Sequence, residues 1–314
     1  VIPFAIKRLL STLPTLLVVT VIVFAIVRVL PGNPARLLLG EEATPQLVAE
    51  LTHEMGLDRP LPVQYASWLG GVLRGDFGRS VKDNMSVGVL ILEKLPTTLE
   101  LSFLATLVSV LIALPAGILT AAKRGGFTDG AITVLALSGV SLPNFFLGIL
   151  LIYLFSIQLS WIPPSGYVTP AENPLENLRL MILPAITLGV GTAGALTRFL
   201  RGAMLEVLGQ DYVRTARAKG VAGRVVLYRH ALRNALIPVV TIFGLQLGGL
   251  LGGAVITEQI FSIPGFGRLI VDAVFTRDFP VVQGVVLFSA AAIFLVSFLV
   301  DLIYAAVDPR IRYR

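Results

Sequence analysis

Few residues in this sequence are equipped to do chemistry. It has no cysteine, so thiol nucleophiles, thiolate metal ligands and disulfides are excluded. Its two histidines, His53 and His230, lie far apart and lack the spacing of a ligand pair, so no metal site is expected. There is no G-x-x-x-x-G-K-[ST] cradle for nucleotide phosphates, no H-E-x-x-H and no G-x-S-x-G nucleophile elbow. The triplet Arg74 to Asp76 reads RGD, but three residues carry little information without context. Arg28, Glu100 and Arg198 fall near the ends of apolar runs, where long side chains reach the interface. Asp301 is the most embedded acid, and a structural pairing with a basic residue at the same end is expected for it. The concentrated chemistry is cationic: DYVRTARAKGVAGRVVLYRHALRNALIP, residues 211–238, holds six of the 25 Lys and Arg residues between two apolar segments.

The elements around that stretch are membrane elements. The chain is 55% hydrophobic and 14% charged, with a mean hydropathy of +0.84, which places it among polytopic membrane proteins. About 20 apolar residues cross the hydrocarbon core as a helix, and six segments meet that length: 9–30, 97–122, 131–160, 180–200, 235–256 and 281–307. Strand alternation is absent, so the expected fold is all-α. The first segment is too long for the apolar region of a signal peptide and is expected to be retained as a span. An even number of spans puts both termini on one side. Lys7, Arg8, Lys123, Arg124, the 211–238 stretch, Arg310, Arg312 and Arg314 then share one face, expected to be cytoplasmic. Acids such as Glu41, Glu42, Glu50, Glu54 and Asp58 mark the other face. The net charge of +6 is therefore a topology signal, not a sign of nucleic-acid binding.

This divides the chain into a cytoplasmic end and first helix (1–30), an extracytoplasmic loop domain (31–96) and a five-helix core (97–314) with a cytoplasmic loop at 202–234. In the loop domain Thr44 can cap a helix with Pro45 at its first position, and Leu47, Leu51 and Met55 follow on one face. A second amphipathic run, PVQYASWLGGVL, follows. Pro115, Pro143, Pro184 and Pro238 should interrupt their apolar segments. Gly244, Gly248, Gly249, Gly252 and Gly253 offer a small-residue face for close helix approach. Neutral polar groups lie at mid-depth: Ser141, Asn144, Thr241 and Gln246. They could line a path for a polar solute or bond between helices, and both readings stand.

Within the basic stretch, Asp211 can cap a short helix, YVRTARAK, that Gly220 ends. So short a helix must dock on something. Lipid headgroups would explain its charge but not its small residues, which suit insertion into a protein groove. Ala216, Gly220 and Ile237-Pro238 resemble the E-A-A-x-x-x-G…I-x-L-P loop of bacterial ABC importer permeases. YVRTARAKG followed by HALRNALIPVVT is similar to the dipeptide, oligopeptide, glutathione and nickel branch. So are LPGNPA (30–35), MGLDRPLPVQY…GDFGRS, GGAVITEQIFSIPGFGRL and VDLIYAAVDPRIRY. Arg214 stands at that family's Glu position, and Asn33 where Asp is usual.

The resemblance implies a type I importer permease with six transmembrane helices in the bacterial inner membrane and no ATPase site of its own. Arg214, Thr215, Ala216, Arg217, Ala218, Lys219 and Gly220 would couple it to two cytoplasmic P-loop ATPases, which hold ATP and Mg. A second homologous permease chain would complete the pathway, and an extracytoplasmic solute-binding protein would deliver peptide. The segment 258–279, with Glu258, Pro264, Gly265 and Gly267, would lie on the outer face near that protein. Nickel is disfavoured as cargo because the spans hold no histidine or acid cluster. The competing classes are an intramembrane enzyme, which the missing nucleophiles and ligands disfavour, and a channel or scaffold with a basic lipid-facing loop.

Overall fold

The computed structural model describes residues 2–29, 34–39, 43–54 and 56–307. Asn33, Glu41, Glu42, Met55, Arg310, Arg312 and Arg314 lie outside them. Among the described residues the regular elements are helices, and the strand-like pairing is an isolated bridge between Arg79 and Ser86. The first span is α1 (Ile2–Val29), followed by three short helices: α2 (Pro34–Leu39), α3 (Pro45–Glu54) and α4 (Leu61–Leu73). Thr44 caps α3 as expected, its hydroxyl accepting from the Leu47 N–H at 3.3 Å.

A long helix, α5 (Val87–Ala122), runs through Pro96 and Pro115 without breaking. The segment expected at 131–160 as one span is two helices, α6 (Phe127–Ser141) and α7 (Asn144–Leu151), with α7 continuing into a π-helical turn at Ile152–Gln158. The two arms meet at 105°. The break falls at Pro143, whose ring disfavours the helical conformation for the residue before it. Leu142 accordingly takes extended angles, φ −75° and ψ 125°.

Next comes α8 (Pro174–Leu208), started by Asn173, whose side chain accepts from the Glu176 N–H, and by Pro174 in the first position. The basic stretch forms α9 (Asp211–Ala218), the single turn α10 (Gly223–Val225) and a second π-helical turn, Val226–Leu232. That turn runs directly into α11 (Arg233–Ile260). Pro184 and Pro238 lie inside continuous helices, so of the four prolines expected to interrupt spans only Pro143 does. The chain ends in α12 (Phe266–Phe275) and α13 (Phe279–Val307). The described residues thus include five helices long and apolar enough to span a membrane, or six spans if the bent pair counts as one.

The core is the parallel pair α5 and α8, whose backbones nearly touch. A Cβ on Gly189 would sit 2.6 Å from the Ala105 carbonyl oxygen, and one on Gly117 would sit 2.8 Å from the Leu200 side chain. At one end of this pair Leu101, Met181, Leu188 and Phe261 are buried together. At the other, Leu196, Leu200 and Met204 pack with Ala231 and Ala235. Arg201 on α8 donates twice to Asp129 at the start of α6, at 2.8 Å each, which fixes the bent pair to the core. Asp301 has the basic partner expected of it: Arg8 Nε donates to its carboxylate at 2.6 Å, joining α1 to α13.

Close backbone approach at Gly189 yields a test. Gly189→Ala should cost about 1–3 kcal/mol through overpacking against α5. Gly130→Ala on exposed α6, where a Cβ meets nothing within 4 Å, should stabilise slightly through helix propensity. Thermal melts of the two purified variants in detergent should therefore move in opposite directions.

Candidate functional site

Three places in the fold hold the residues singled out from sequence. The first is α9. Its Val213 is fully buried, while Arg214, Thr215, Arg217, Ala218, Lys219 and Gly220 are exposed and Ala216 is half-buried. Asp211 does not cap this helix. Gln210 holds that position without a side-chain bond, and Asp211 is the first helical residue, 3.5 Å from Arg214. The other end closes as expected. The Val221 N–H bonds the Ala216 carbonyl, and the Gly220 N–H bonds that of Arg217, with Gly220 at φ +78°. Only a residue free of Cβ strain adopts that conformation readily. Among the described residues nothing lies within 4 Å of where a Gly220 Cβ would be, so this turn projects into open space.

The second place is a cavity of about 260 Å³ where the α6–α7 break faces α8 and α11. Asn144 and Gln246, distant in sequence, both line it, together with Thr192 and Gly139, Gly191 and Gly253. The Asn144 amide lies 3.6 Å from where Cβ atoms on Gly191 and Gly253 would stand, so those glycines make its space. No charged side chain lines the cavity. Ser141 sits beside the break, exposed and outside this lining, and the side chain of Thr241 lies outside the described residues. Thr192 was not expected; at mid-helix among Gly and Ala its polarity was the available signal.

The third place is the α11–α12 corner. Glu258, Gly265 and Gly267, expected on an outward-facing loop, are buried, and Pro264 is half-buried. Glu258 is 0% exposed. Its carboxylate accepts from the Thr98 hydroxyl at 2.5 Å and from the Arg268 N–H at 2.9 Å. The Phe266 N–H in turn donates to Thr98 at 2.8 Å. A Cβ on Gly265 would collide with the Glu258 carboxylate, and one on Gly267 would collide with the Val255 backbone at 2.5 Å and crowd that carboxylate at 3.0 Å. The carboxylate therefore satisfies the first turn of α12 from inside, a favourable place for negative charge. The physical reason for the correction is α12 itself. Phe266, Leu269, Ile270 and Ala273 form an apolar face that folds back onto α5 and α13 and draws the corner inward.

The RGD triplet belongs to the same cap. Asp76 accepts from the Gly78 N–H at 2.9 Å, and the following Ser80 donates to buried Asp278 in the turn before α13.

A bundle of apolar helices around a neutral cavity, with an exposed cationic turn at one end, has the make-up of a membrane transport subunit. Comparison with known proteins gives the family. Residues 113–313 match the family described as binding-protein-dependent transport system inner membrane component, and residues 1–102 match its N-terminal companion. A probable peptide ABC transporter permease protein of Sinorhizobium fredii is 41% identical over 310 residues, covering 99% of each chain. The glutathione transport system permease protein of Salmonella choleraesuis is 43% identical over 311 residues, again 99% of each. The fold resembles a solved chain of the MetNI methionine ABC transporter in an inward-facing conformation, with a TM-score of 0.59 and 20% identity. That match covers 70% of this chain and 96% of the other. The protein belongs to this family: it is a multi-pass membrane permease subunit of an ABC importer, not an enzyme.

The Glu258 corner predicts an energetic coupling. Glu258→Leu strips the buried N–H groups of α12 of their acceptor, at about 1–3 kcal/mol for each group left unpaired. Thr98→Val should cost less, and the two changes should couple by about 0.5–3 kcal/mol because they share one network. A double-mutant cycle of melting temperatures in detergent measures this.

Proposed function

We propose that the chain is one half of the translocation pathway of an importer for di- and oligopeptides, glutathione among them. It is driven by ATPases that dock on the exposed turn of α9. The observation that carries this reading is the shape of that turn: small residues and cations presented on a glycine-closed corner that no described residue covers. Peptide as cargo draws support from the relatives named for peptide and glutathione transport, which match along 99% of the chain. The uncharged lining of the cavity also fits a zwitterion, whose two charges need dipoles more than a counter-ion.

On this reading Arg214 to Gly220 face the cytoplasm and enter a groove between ATPase lobes. Two P-loop ATPases bind ATP and Mg, and this chain holds neither. Asn144 and Gln246 line the path, with Ser141 and Thr241 beside it. A second homologous permease chain supplies the other wall, against the open glycine face of α11. An extracytoplasmic binding protein docks at the opposite end, over a cap of α4, α12 and the corner around Pro264. Glu258, Gly265 and Gly267 shape that cap from within and do not touch the binding protein.

A pull-down of tagged chain from native membranes tests the reading. It should recover a second permease chain and P-loop ATPases with measurable hydrolysis; recovery of the chain alone would favour a channel or scaffold. Comparison with Gly220→Ala lets Gly220→Trp separate docking from folding, because both carry the strain of positive φ, the Cβ position is open, and only the indole adds bulk. Insertion should survive while ATP-driven uptake falls by at least an order of magnitude. Gly220→Ala, carrying only the strain of positive φ (about 1–2 kcal/mol), should retain most uptake in a vesicle assay. Arg214→Ala should be mild, within about two-fold, because its pair with Asp211 is exposed and worth under about 1 kcal/mol. Loss of ATPase in the Arg214→Ala pull-down would show a specific contact instead.

A further inference from the structure

The joint between α9 and α11 holds a closed set of hydrogen bonds that neither docking nor the cavity uses. Asn234 Nδ2 donates to the Tyr212 hydroxyl at 2.7 Å and to the His230 carbonyl at 3.1 Å, and the Tyr212 hydroxyl donates to the same carbonyl at 3.2 Å. Each of the three available hydrogens has an acceptor, so the ring closes without a leftover donor. Its location is specific. Tyr212 is on α9, whereas His230 belongs to the π-helical turn that precedes α11 and Asn234 to the first turn of α11. In a π turn the backbone bonds run from i to i+5, a register that is rare and concentrates at functional sites.

The covalent route from α9 to α11 is poorly suited to carrying force. Residues 219–222 form a turn around Gly220, and Gly223 follows. Val213 anchors α9 by burial, which resists withdrawal but sets no direction. The hydroxyl of Tyr212 bypasses the turn and grips the spot where the π register gives way to the α register. Beyond that spot α11 continues past Gln246 and Gly253 at the cavity to Glu258 in the far corner.

We propose that Tyr212 and Asn234 are positioning residues for transport: they latch α9 to the π-helical joint, so that displacement of α9 rotates α11 at the cavity instead of being absorbed by the 219–223 turn. This rests on the proposal that ATPases drive the chain through α9.

The chain has no native cysteine, so a single environment-sensitive fluorophore on Ser141→Cys, exposed beside the Pro143 break, reports on the cavity without requiring the cargo to be known. The experiment uses the complex co-purified with its ATPases, with and without ATP and vanadate. Tyr212→Phe, which removes one oxygen, should leave the melting temperature and ATPase association near wild type and cut the nucleotide-driven fluorescence change about five-fold, the scale of one lost hydrogen bond. Asn234→Ala, an exposed position, should do the same, and the double variant should go no lower, since both changes open one ring. A full fluorescence response in Tyr212→Phe would overturn the latch, as would independent, additive losses in the two variants. If Tyr212→Phe fails to accumulate, Asn234→Ala carries the test alone. Wild-type chain that brings down no ATPase would sink the coupling reading itself, a result distinct from a silent Tyr212→Phe in an intact complex.

Discussion

The contact between α5 and α8 is the constraint on which the rest depends. In lipid there is little hydrophobic drive between helices, so association relies on tight packing and hydrogen bonding. Gly117 and Gly189 let two helices of 36 and 35 residues meet almost backbone to backbone along much of their length. Everything with a functional part is hung from that pair. The Arg201 fork holds α6 at one end, Thr98 on α5 receives the Glu258 corner at the other, and Leu196 and Leu200 seat the joint before α11. A core packed this closely leaves little room for the two helices to shift against each other.

The chain departs from regular geometry outside this core. The 105° break at Pro143 and the two π-helical turns lie outside the α5–α8 pair, in the elements packed around it. Each interrupts the i to i+4 ladder, and each is tolerated in a membrane only where other groups satisfy the freed backbone. At the second π turn the side chains of Tyr212 and Asn234 do so; at the α6–α7 break the freed space becomes the cavity. The same sites that pay a cost in backbone bonding are the ones beside the basic turn and the neutral pocket.

How much of this could be read from residues alone divides along a physical line. Five of the six span positions, the Thr44 cap, the Gly220 stop and the Arg8–Asp301 pairing follow from local composition and from the cost of burying charge, and the structure bears them out. What was misread depends on tertiary partners. Four prolines look alike in sequence, yet only Pro143 breaks its helix. Its neighbours include Ser141 before it and Asn144 after it, a polar pair that can end one helix and start another, whereas Pro115, Pro184 and Pro238 sit in longer apolar runs. The family resemblance puts Glu258 on a loop facing the binding protein, and the proline and glycines beyond it suit a loop. The periodic face of Phe266, Leu269, Ile270 and Ala273 was the missed sign that the chain turns back as a helix and buries that acid.

The burial of Glu258 bears on how the two ends of the molecule communicate. A carboxylate with no solvent exposure, held by Thr98 from α5 and by the first turn of α12, ties the far end of α11 to the close-packed core. The near end of α11 begins at the π-helical joint, and its middle lines the cavity through Gln246 and Gly253. A helix clamped at one end and driven at the other can rotate or bend between, and the glycine-dense stretch from Gly244 to Gly253 is the part least able to resist. Displacement at the basic turn would then be greatest at the depth of Asn144 and least at the outer corner. On the proposed reading the cavity would open or close while the outer corner kept its shape, as a fixed docking platform for an external partner requires.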